Sequence, residues 1–235
     1  MQTLGTLEQT LTNALDLRRR PVAISFADVA PAGTPKLQGT QPSGCSFWRL
    51  AAQGPAFYTV PSDHLNCPVG SYTHNIDLPP EREAELTGTL SLMADIGYIK
   101  MTEVPAIPRL PQPPKVIVYA ALADAPIAPD VVVLSGRPSK LMLLHEAAAR
   151  AGVSATPLLG RPTCMAVPAA LSGGVASSLG CIGNRVYTDV ADDEFYSVIA
   201  GADLDGVVEA LTTIVSANQT LAAYHGERRA SLSSA

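Results

Sequence analysis

Between Glu103 and Pro114 the chain carries five prolines, at positions 105, 108, 111, 113 and 114. Proline fixes φ and removes an N–H donor, so no regular helix or central strand can run through this stretch. The spacing predicts an extended connector over residues 103–114 that lies against the surface. The segments that follow it differ in kind. Lys115 to Ala120 and Val131 to Leu134 are apolar, largely β-branched runs without polar alternation. Such runs predict strands buried on both sheet faces. Pro138 opens a helix that runs to Arg150 and ends at Gly152. This order argues for an α/β or α+β fold, a mixed sheet with flanking helices in two lobes. The expected division is an N-terminal lobe over 1–102 carrying Cys45 and Cys67. A C-terminal lobe over 115–226 carries Cys164 and Cys181, and a flexible tail covers 227–235.

Upstream of the connector, Leu4, Leu7, Leu11 and Leu15 recur at helical spacing and predict a helix over 3–17. Pro21 stops it, and Val22, Ile24 and Phe26 share one face of a short strand. Residues 30–44 read as a loop, 47–52 as a short helix and 56–60 as a strand. Pro80 opens a helix over 81–96 with Leu86, Leu90 and Met93 on one face. Further on, 194–199 reads as a strand. Asp203 is placed to cap a helix through Val215.

Net charge is −5, which gives no electrostatic footprint for nucleic acid. Arg18, Arg19 and Arg20 form the one dense basic run, and a solvated helix end accounts for it. The first twenty residues lack the apolar core of a signal peptide, and no run approaches the ~18 apolar residues of a membrane span. These observations predict a soluble, cytoplasmic protein that binds neither membrane nor nucleic acid. Four cysteines in that compartment are expected to be reduced, metal-bound or catalytic.

Those cysteines carry the functional reading. Cys45 follows Gly44. Cys67 precedes Pro68 and Gly70. Cys164 follows Arg161-Pro162-Thr163, and Cys181 lies between Gly180 and Gly183, with Arg185 four residues on. Thiolates are soft anionic ligands suited to iron–sulfur clusters, zinc and Cu(I). Glycines beside them let backbone N–H groups approach sulfur. Four convergent thiols would complete a [4Fe–4S] cluster or, as the alternative, a zinc site. Cys-x-x-Cys is absent, so neither zinc-ribbon nor ferredoxin spacing is present. The plainer reading is four inert thiols in the core. His64, three residues before Cys67, is placed either in the same site or on an exposed turn. A second reading is metal-independent thiol catalysis, with Arg185 acting on Cys181 or His64 on Cys67. A third is a small-molecule-binding protein without catalysis. There Ser172, Gly173, Gly174, Ser177 and Ser178 would form an anion nest with Arg161 or Arg185 as counter-charge.

Several of these pieces occur in an order that resembles a known family. They are Arg20-Pro21-Val22-Ala23-Ile24, then Gly44-Cys45 with Trp48 to Gly54, then Asp63-His64-Leu65-Asn66-Cys67-Pro68-Val69-Gly70. Leu179-Gly180-Cys181-Ile182-Gly183-Asn184-Arg185 and Asp192-Asp193-Glu194 follow. Together they resemble the family called domain of unknown function 169, or ArCR, over about residues 18–212. The resemblance implies that the segments around Cys45, Cys67 and Cys181 are the characteristic ones. It suits a cysteine-ligated metal or cluster. A small molecule or a redox partner protein would be the partner, and a homo-oligomer is compatible with the sequence.

Overall fold

The computed structural model describes residues 2–158 and 160–233. Seven strands form one sheet: β1 (Val22–Ala27), β2 (Phe57–Thr59), β3 (Val116–Ala121), β4 (Val131–Gly136), β5 (Ala155–Leu158), β6 (Val175–Ser178) and β7 (Phe195–Ala200). Their order is β2-β3-β1-β4-β7-β6-β5, antiparallel except between β5 and β6. The helices are α1 (Leu4–Leu15), α2 (Gly44–Gln53), α3 (Pro68–Thr73), α4 (Pro80–Asp95), α5 (Pro138–Arg150), α6 (Ala166–Leu171), α7 (Ile182–Thr188) and α8 (Leu204–Ser233). The expected mixed sheet with flanking helices is present.

The strand side chains explain the layering. Ala23, Val132, Leu134 and Ile199 point to one face, where α1, α5 and α8 bring Leu7, Leu11, Leu141, Leu144, Val208 and Leu211. Val22, Ile24, Ile117, Tyr119, Val133 and Val198 point to the other, where they meet Phe47 and Trp48 of α2 and Val167 of α6. Both sides of the sheet are therefore cores, and every residue of β3 is buried. This is what its unbroken apolar run requires. At one edge, β5 carries Pro157 and is largely exposed, as an edge strand must be to accommodate proline.

Both halves of the chain contribute to this one sheet. β1, from before the connector, pairs with β3 on one side and β4 on the other. Residues 103–114 thus join parts of a shared sheet. The connector is also less extended than its prolines suggest, because Met101–Ala106 winds into a 3-10 helix with Pro105 inside it. At the other end, the tail expected over 227–235 is helical as far as Ser233, and residues 234–235 lie outside the described residues. α8 continues to Ser233, and its residues 219–233 are exposed. Leu221-Ala222-Ala223 and Glu227-Arg228-Arg229-Ala230 are strong helix formers, and Gly226 alone does not break the run. Asp203 does not cap α8 from a loop. It ends a 3-10 turn, Gly201–Asp203, and its carboxylate accepts from the Gly174 N–H at 3.0 Å.

Candidate functional site

All four cysteines open onto one cavity of about 620 Å³ on the Phe47–Trp48 side of the sheet. Each stands at the start of a helical segment. Cys45 is the second residue of α2, whose N-cap Ser43 accepts from the Ser46 N–H. Cys67 caps α3 and Cys181 caps α7. Cys164 sits in the 3-10 turn Thr163–Met165 that leads into α6. Cross-links hold these starts together. The Cys181 N–H donates to Thr163 Oγ1 at 2.6 Å, and Ser46 Oγ donates to the Tyr187 carbonyl at 3.5 Å. Four cysteines from distant parts of the sequence thereby open onto one cavity.

The glycines and the proline beside them have identifiable tasks. Burial raises the pKa of Cys67, and the N–H groups of Gly44 and Gly70, which lie against its sulfur, offset part of that rise. A Cβ on Gly70 would stand 3.0 Å from that sulfur, so a side chain there would displace it. Pro68 starts α3 and, with Gly183, lines the cavity. Gly180 holds a positive φ of 84°, and a Cβ there would press on Asn184 Oδ1 at 3.0 Å. The Asn184 N–H donates to Cys181 Sγ at 3.4 Å. Asn184 also lies beside Cys45, and its Oδ1 is buried with no hydrogen-bond partner among the described residues.

Burial dominates the electrostatics. It pushes the thiols of Cys45, Cys67 and Cys164 upward, and the neighbouring thiols push the same way. Each is therefore a neutral thiol at pH 7 unless a positive charge arrives. Tyr119, close to Cys45 and Cys164, is likewise driven up by burial. All four cysteines are free. Among the described residues, no group of three or more His, Cys, Asp and Glu side chains is gathered tightly enough to hold a metal ion. A tetrahedral zinc with bonds of ~2.3 Å asks for tightly converged sulfurs, whereas a cube of iron and sulfide takes a wider ring.

The remaining candidates fall elsewhere. His64 is neither on an exposed turn nor in the cavity lining. It is 2% exposed, packed at a tilt against Phe47, with Nε2 at 2.9 Å from Thr59 Oγ1. Burial and His74 bring its pKa from 6.5 to about 3, so it is a neutral core imidazole. The Arg185 guanidinium donates to the carbonyls of Leu179, Ala191 and Glu194, where it ties a loop. The nest at Gly173 and Gly174 is also occupied from within. Asp203 accepts from Gly174, Ser172 donates to the Pro168 carbonyl, and Ser177 bridges His145 and Ser197. Asp193 pairs with Arg18 at 2.8 Å, which absorbs that part of the acidic run.

Sequence reasoning missed the roof of the cavity. Leu86, Leu90 and Met93 project from α4 into it, joined by Ile99, Val104 and Ile107 from the segment that follows. Neither α4 nor the 3-10 helix Met101–Ala106 has a fully buried residue. Of their half-buried positions, Leu86, Leu90, Met93 and Val104 face the cavity. The 86, 90, 93 spacing was the available signal, but it marks an apolar face without saying that the face covers a space.

An open mixed sheet with helices on both faces, and a cysteine-lined cavity on one of them, is the class of protein these features define. Residues 10–210 match the model of DUF169, described as uncharacterised ArCR, and the chain belongs to that family. No curated protein and no solved structure matches it.

Proposed function

We propose that the chain binds an iron–sulfur cluster, of [4Fe–4S] type, through Cys45, Cys67, Cys164 and Cys181. The cluster would serve a redox or small-molecule-processing role, with a redox protein or a small molecule as partner. The observation that carries this reading is the opening of four thiols, from four separate helix starts, onto one cavity. N–H groups of Gly44, Gly70 and Asn184 beside two of the sulfurs are the kind of donors that tune such a centre. The cluster's iron would supply the positive charge that thiols buried this deeply need in order to ionise. A reducing, cytoplasmic setting suits four free cysteines. Zinc on the same thiols is the alternative cofactor, and it would require the sulfurs to draw closer together than they stand. Metal-independent thiol catalysis is weaker, because burial keeps three of the thiols protonated and the imidazole of His64 is committed to Thr59.

Anaerobic purification followed by metal and sulfide analysis tests this. Brown protein with ~4 iron and ~4 acid-labile sulfide per chain is expected, lost in Cys67→Ser and Cys181→Ser variants. Stoichiometric zinc without iron would move the assignment to zinc. Colourless protein with neither metal ends the reading. Because raised thiol pKa values must be overcome, cluster or metal uptake should strengthen as pH rises from 6 to 9.

A further inference from the structure

The cavity holds more than a thiol site needs. About 620 Å³ is within the ~300–1,000 Å³ range of small-molecule pockets. Its roof is the inner face of α4 and the segment to Pro108, and that face is aliphatic. Such a face gains dispersion contacts from an apolar body seated against it. Among the described residues lining the cavity, Glu103 and Arg161 are the charged ones. Arg161 comes from the wall, Glu103 from the roof. They meet with Nη2 to Oε2 at 3.1 Å, and the Arg161 guanidinium also lies 4.8 Å from the centre of the Tyr98 ring. A carboxylate thus already occupies the guanidinium, and it belongs to the roof itself. Glu103 is about half exposed, so water can take it up at little cost when it is displaced.

We propose that this cavity binds a small carboxylic acid with an aliphatic body, the body beneath α4 and the carboxylate on Arg161 in exchange for Glu103. Arginine recognises a carboxylate through two parallel N–H donors, and a single cation matches a single anionic group. The proposal does not depend on a metal, because roof, wall and Arg161 are protein groups.

The test uses decanoate and 1-decanol as probes with the full chain, both anaerobically purified and iron-free, followed by calorimetry and thermal shift. Decanoate should bind saturably at one site and more tightly than decanol. Arg161→Gln should weaken decanoate about tenfold and leave decanol within about twofold. Glu103→Gln, which removes the internal competitor, should tighten decanoate several-fold. Leu90→Asp should abolish both. Absence of saturable decanoate binding overturns the proposal, as does decanoate binding unchanged in Leu90→Asp. Equal loss of both probes in Arg161→Gln, or no gain in Glu103→Gln, overturns the carboxylate assignment. The iron-free arm separates this result from the cluster reading, since decanoate binds there even if no metal ever does.

Discussion

His64 shows how a polar residue beneath the site sets the acid limit of the fold. Its imidazole titrates at about 3 when folded, against 6.5 ordinarily, with burial as the main cause and His74 the second. The unfolded chain therefore takes up a proton that the folded chain refuses. The stability this contributes is present in full above pH 6.5 and is lost as pH falls through about 3. At ~1.4 kcal/mol per unit, about 2 kcal/mol should disappear between pH 6.5 and 5. Urea midpoints at pH 7 and pH 5 measure this, and His64→Phe should remove about 2 kcal/mol of the difference. An unchanged difference in that variant would mean that His64 is protonated in the fold. At the same scale, Gly70 and Gly44 make a contrast. Alanine at Gly70 would set its Cβ 3.0 Å from Cys67 Sγ, while Gly44 has open space at that position. Gly70→Ala should cost ~1–3 kcal/mol and accelerate alkylation of Cys67, with Gly44→Ala near neutral on both measures. Equal behaviour of the two would remove the packing argument for Gly70.

At the scale of elements, the long periodic and β-branched segments were legible and the short ones were not. α1, β1, β3, β4 and α5 follow directly from Leu spacing, apolar runs and proline or glycine punctuation. β5, α6, β6 and α7 have four to seven residues each. In such lengths tertiary packing decides the conformation, and the glycines among them read as loop. The site was half legible for the same reason. The cysteines were visible as thiols beside glycine or proline turns, and their meeting at one cavity depends on those short helices. His64 was misplaced because a turn sequence says nothing of what later covers it. α8 gives the sharper lesson, since its last turns, residues 219–233, are helical by propensity alone, with no core to face. Truncation after Asn218 should therefore shift Tm by less than ~2 °C in a thermal melt. A larger drop would show that the exposed half of α8 packs against another molecule, with a second copy the first to look for.

For the molecule as a whole, the connector and the sheet make opposite claims about how the chain divides. Five prolines at 103–114 mark a covalent boundary. The strand order denies a matching boundary in the sheet, because β1 from the first half sits between β3 and β4 from the second. Removing β1 would leave two strands with unpaired inner edges and uncover Val133 and Ile117, both now buried. A buried backbone group without a partner costs ~1–3 kcal/mol, and β1 satisfies partners along six paired positions of β3 and three of β4. Such a sum is as large as the ~5–15 kcal/mol that holds a domain of this kind together. Fragments 1–108 and 109–235, expressed separately, should therefore show no cooperative thermal transition, and mixing them should restore one. The cavity gives the same answer from the functional side, since Cys45 and Cys67 lie before the cut and Cys164 and Cys181 after it. If the second fragment alone melts cooperatively, the proline boundary is also an energetic one, and β1 is an addition to a sheet that stands without it.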